Sequence, residues 1–143
     1  MLDQPRGEVA RARLTALFDA VESGDASAVA DVVQAELPPA VRNTPAGWAY
    51  LRQRLDQLLR DGLAPGLASL PEQAPLRDAA SLAAVTAPAL VIGCVGDDLH
   101  PAEVAEQLAA ALPRATLHVY DRPGVLWSER ADLRGRISDF LNG

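Results

Sequence analysis

The chain has 143 residues, 49% of them hydrophobic, and a formal net charge of −6, which is enough for one compact core at the roughly 100–200 residues usual for a single domain. All 13 basic residues are arginines spread singly along the chain, so no basic face is available for nucleic acid or an anionic membrane surface. No apolar run approaches the roughly 20 residues needed to cross a bilayer, and none follows a basic start as in a secretory leader, so a cytoplasmic protein is expected.

In chain order, Val9, Leu14, Leu17, Phe18 and Val21 recur at helical spacing between Arg6 and Ser23 and predict a helix with one side on a core. Gly24 then suits the left-handed residue that ends it, and Asp25 suits the N-cap of a second helix through Val29, Val32 and Val33. Pro38 and Pro39 are expected to end that helix. Thr44 and Pro45 predict the start of another, with Trp48, Leu51, Leu55 and Leu58 on one stripe. Gly62, Pro65, Gly66, Pro71 and Pro75 mark a turn-rich connection.

After Pro88 the character changes to strand. "ALVIGCV" is short and apolar on both faces, which predicts a parallel strand, and Pro101 is placed at the first position of a helix with Val104, Leu108 and Leu112 inward. "ATLHVY" predicts a second strand, and Ser128 the cap of a closing helix with Leu133, Ile137, Phe140 and Leu141 inward. The order strand, helix, strand, helix defines an α/β unit over residues 81–143, behind a helical region over residues 1–80.

Residues 82–143 resemble the C-terminal part of the α/β-hydrolase fold family. The likeness rests on the proline before "LVIG", an aspartate four residues before a proline, the "A..LA..LP.A" helix, the next strand, and the closing helix ending in "FL". The resemblance implies a shortened hydrolase core preceded by cap-like helices, with Asp97 where the family places its triad acid. Its histidine would stand near Val125, in "DRPGVLW", and a valine moves no proton. No G-x-S-x-G elbow occurs, and the serines at 23, 27, 69, 81, 128 and 138 fall elsewhere. Serine-esterase chemistry is therefore not expected of this chain acting alone; a histidine against Asp97 with a serine beside it would reverse that expectation.

Asp97 is the leading candidate for a base or hydrogen-bond acceptor, with His100 second, at the strand end where α/β folds bind ligands. The structural alternative is that Asp97 or Asp98 caps the helix at Pro101 and His100 is a surface residue. Cys94, late in an apolar strand, reads as a small hydrophobe, and "GCVGDD" fails the dinucleotide pattern. His118 alternates away from Leu117 and Val119 as a structural histidine. Trp127, Asp98, Trp48 and Tyr50 are the candidate ligand contacts, Trp48 also fitting a core stripe. With one cysteine and two histidines, neither a disulfide, a metal site nor a cofactor is expected.

Two parallel strands make too small a sheet to stand alone. A homodimer pairing equivalent edges, a second polypeptide, or the helices folding back would each cover them. The expected role is to hold an apolar small molecule for a cyclisation, isomerisation or elimination. The alternative is a non-catalytic accessory subunit that completes a split hydrolase.

Overall fold

The computed structural model describes Leu2 and residues 7–60, 73, 74 and 76–143. Two compact units are present: Arg6–Gln73, and Ala74–Gly143 together with Leu2. The architecture is mixed α/β and mostly helical, with one two-stranded parallel sheet. Among the described residues, no helix is long and apolar enough to cross a membrane.

In the first unit, α1 (Glu8–Ser23) ends at Gly24, whose φ of 69° is the left-handed conformation that glycine adopts without a Cβ penalty. The Asp25 carboxylate accepts the Ser27 N–H at 2.8 Å and opens α2 (Ala26–Glu36). Leu37, which precedes a proline, is extended and ends α2. The tandem prolines also do what their stop signal hid: Pro39 starts a one-turn helix, α3 (Pro39–Arg42). The Arg42 guanidinium turns back to donate to the carbonyls of Leu37 at 2.8 Å and Ala35 at 3.2 Å, groups the end of α2 leaves without helical partners. Thr44 Oγ1 accepts the Gly47 N–H at 3.1 Å at the head of α4 (Pro45–Leu58).

Leu17, Ala20 and Val21 of α1, Val29 and Val33 of α2, and Leu51 and Leu58 of α4 form the core, with Leu55 and Tyr50 packed against it. Trp48 is not part of it and is 52% exposed, a correction to the stripe read from sequence. The inward row runs through Gly47, four residues before Leu51, where a Cβ would collide with the Val41 carbonyl. Trp48 lies one position around the helix, and a glycine on the true row carries no hydrophobic signal. The turn-rich positions Gly62, Pro65, Gly66, Pro71 and Pro75 fall outside the described residues.

The second unit begins with a 3₁₀ helix (Ala79–Ala84), capped by Asp78 and not anticipated from its alanine-rich sequence. There follow β1 (Ala89–Cys94), α5 (Ala102–Ala111), β2 (Ala115–Tyr120), the one-turn α6 (Val125–Ser128) and α7 (Arg130–Asn142). The strands pair in parallel from Ala89 with Ala115 to Cys94 with Tyr120. Alternation puts Val91, Gly93, Leu117 and Val119 on one face, where α5 approaches so closely that a Cβ on Gly93 would lie 2.8 Å from that of Ala105. His118 and Tyr120 share the other face, their rings edge to face at 4.5 Å.

Three local expectations need correction. Pro101 is the N-cap of α5 and Ala102 its first residue. Ser128 ends α6 and directs its hydroxyl to the Gly124 carbonyl, while Glu129 stands at the cap of α7 with its side chain on Arg122. No residue of α7 is fully buried; Leu133 and Phe140 are half-buried, whereas Ile137 is 41% and Leu141 73% exposed. A two-stranded sheet offers that helix too little surface to cover its apolar side.

Candidate functional site

The candidate site lies where both strands end. The Val95 N–H donates to the Tyr120 carbonyl at 2.9 Å, one rung beyond β1. Gly96 then turns the chain with a φ of 79°, and a Cβ built there would stand 3.4 Å from Pro123 Cδ. The exit loops of β1 and β2 therefore run side by side.

On the first loop, Asp97 Oδ1 accepts the backbone N–H groups of Leu99 and His100, each at 2.9 Å. This is the local turn that aspartate forms before a helix. The other oxygen, Oδ2, lies 3.3 Å from His100 Nδ1. The two leading candidates from the sequence thus lie side by side, and Asp97 shapes the turn ahead of α5 without capping the helix itself, which has no side-chain cap. The Asp97 side chain is 30% and the His100 side chain 79% exposed, so the carboxylate is sheltered and the imidazole faces outward.

Cys94 is half-buried, and burial, reinforced by the Asp97 charge, pushes its thiol above the usual range. That favours the neutral thiol over the thiolate. Asp98 is exposed beside the pair. Val125, where the hydrolase histidine would fall, is buried and anchors the second loop. Trp127, in α6, is half-buried and donates its backbone N–H to Gly124. Trp48 and Tyr50 belong to the helical unit, where Trp48 is exposed and Tyr50 leans on the core.

Among the described residues, the serine side chains that hydrogen-bond do so within their own turns or helices and not with the pair. Ser23 donates to Ala20, Ser81 to Asp78 and Ser128 to Gly124, while Ser138 is met by Asn142. Among the described residues no cluster of histidine, cysteine and carboxylate groups could hold a metal.

Sequence reasoning missed two polar contacts that fasten the second loop. Arg122 pairs with Glu129 at 2.7 Å, tying the exit of β2 to the start of α7. The Tyr120 hydroxyl donates to Asp132 Oδ2 at 2.7 Å, and the same oxygen takes Arg136 Nε at 2.6 Å. The Arg136 and Tyr120 hydrogen bonds hold the Asp132 carboxyl below its ordinary range; burial and the bond to Asp132 push the Tyr120 phenol above its own. The spacing of Asp132 and Arg136 was a visible signal, whereas Tyr120, twelve residues away on a strand, was not.

No protein-family model, curated protein or solved structure matches the chain.

Proposed function

We propose that this chain is a shortened, α/β-hydrolase-like protein without ester-cleaving machinery. It holds an apolar small molecule at the strand ends and assists a cyclisation, isomerisation or elimination with Asp97 and His100. The reading places it in the cytoplasm, without a cofactor or a nucleic-acid partner, and with its sheet completed by a second copy. The observation that carries it is the 3.3 Å approach of Asp97 Oδ2 to His100 Nδ1 on a loop leaving a parallel strand.

With Nδ1–H directed at Asp97, the lone pair of His100 is on the outward Nε2, the arrangement of a general base. Nε2 takes a proton from the substrate, Asp97 balances the imidazolium, and the proton is returned at the product stage. Such a group is worth roughly 10²–10⁴ in rate. Trp127, on the adjoining loop, offers an aromatic surface to an apolar ligand; Asp98 is a further contact in this reading.

The ring opening of 5-nitrobenzisoxazole tests it, since that elimination needs one base and an apolar seat. The C–H proton passes to Nε2 as the N–O bond breaks, giving the cyanophenolate. The expected result is a rate above that of free imidazole, lowered by His100→Ala and Asp97→Asn, with KM raised by Trp127→Ala. A rate no higher than free imidazole, or one indifferent to His100→Ala, rejects the reading.

A non-catalytic role completing a split hydrolase is favoured by a different observation, the apolar surface left on the α/β unit at Val95, Leu126 (70% exposed) and Leu141. Its signature is a chain with an elbow serine that becomes esterolytic only when this protein is added.

A further inference from the structure

The polar contacts of α7 crowd into one end of the helix. Glu129, at its cap, takes Arg122 at 2.7 Å, and Asp132 takes Tyr120 at 2.7 Å and Arg136 at 2.6 Å. Beyond Arg136 the bonds are internal, from Asn142 Nδ2 to the Ser138 carbonyl at 2.7 Å and from the Gly143 N–H to that of Asp139 at 3.0 Å. The apolar side contributes no fully buried residue, and Ile137 and Leu141 are exposed. Leu133 and Phe140 are half-buried, so lifting the helix gives up their partial burial and its contact on Tyr120 but takes none of its own residues out of a fully buried position.

We infer that α7 is a strap latched to the sheet by the Tyr120–Asp132 hydrogen bond, and that it lifts as one unit while β1, β2 and α5 stay folded. When it lifts, the face of β2 carrying His118 and Tyr120 is uncovered. Asp132 is faced by Tyr120 and His118 from β2 and by Arg136 from α7 itself, and these neighbours keep it ionised through the neutral range. The latch therefore stays closed by default and is opened by competition for Asp132 or Tyr120.

Ordinary fraying and strap release leave different records in native-state hydrogen exchange of the full chain. Fraying gives protection that fades towards residue 142 and ignores the latch. Strap release gives residues 134–142 one common opening, and Tyr120→Phe and Asp132→Ala each speed it about tenfold without changing the amides of β1 and β2. Tyr120→Phe keeps the buried ring, so the fold survives the test, and Asp132→Ala removes the acceptor of the bond at the surface. A gradient indifferent to both variants, or strand amides that accelerate along with α7, overturns the inference.

Discussion

Asp97 grips His100 at two points: Oδ1 accepts its backbone N–H at 2.9 Å, and Oδ2 lies 3.3 Å from its Nδ1. A single carboxylate shapes the turn and orients the ring, so the two roles separate by substitution. Asparagine keeps an oxygen for the turn but presents an amide, without charge, to the imidazole; alanine removes both. Asp97→Ala should cost about 1 kcal/mol in unfolding free energy and Asp97→Asn less than half of that. Both should lower the elimination rate. Urea unfolding and the ring-opening assay, run on the same two variants, check the pair of expectations.

The closeness of β1 to α5 makes a sharper packing prediction. A methyl on Gly93 would sit 2.8 Å from that of Ala105, whereas one on Gly96 would meet Pro123 at an ordinary 3.4 Å but in a left-handed backbone. Gly93→Ala should destabilise by about 1–3 kcal/mol through overpacking, and the double change with Ala105→Gly should recover much of it. Gly96→Ala should cost about 1–2 kcal/mol from its backbone alone, with no rescue from Pro123→Ala. Thermal unfolding of the four variants separates steric from conformational cost.

The Tyr120–Asp132 contact ties stability to pH at both extremes. The Asp132 carboxyl is held below its ordinary value, so the stability it brings is complete above the usual carboxylate range and is lost as pH falls through the depressed value. The Tyr120 phenol is held above its ordinary value, so its contribution is complete below about pH 10 and is lost as pH rises beyond. Tyr120→Phe should therefore flatten the alkaline limb of the stability curve, whereas Asp132→Asn should flatten the acid limb and only lessen the alkaline one, because burial still raises the phenol. Urea midpoints from pH 2 to 11 test the signs.

What the sequence disclosed was whatever rests on neighbours in the chain. The caps at Gly24, Asp25 and Thr44 were legible because each is a one-turn contact between residue types with few alternatives. The strand "ATLHVY" was legible because its apolar run is bounded by Pro113 and by the turn at Pro123 and Gly124. The pairing of Asp97 with His100 was half-legible: both were candidates, but the turn that joins them depends on which oxygen takes which N–H. Opaque were the features set by a distant partner or by a missing side chain. Gly47 hid the inward row of α4, and nothing near Ser128 announced that Glu129 would be occupied by Arg122. The closing helix misled for a related reason, because its periodic leucines describe a face and not what covers it.

The sheet itself leads to the last prediction. Among the described residues β1 and β2 each have one strand partner, and neither "ALVIGC" nor "ATLHVY" contains a charge or a proline. Those are the devices by which natural edges discourage pairing, and a two-stranded sheet without them is poorly stable alone. A second copy placed across a two-fold axis would pair equivalent edges and make four strands from two, a closed arrangement that stops at the dimer. Light scattering should give a mass near twice the 15.1 kDa of one chain. Because association feeds into stability by mass action, the melting temperature should also rise with protein concentration. A monomer whose melting temperature ignores a hundredfold change in concentration would leave the edges to another polypeptide or to the chain itself.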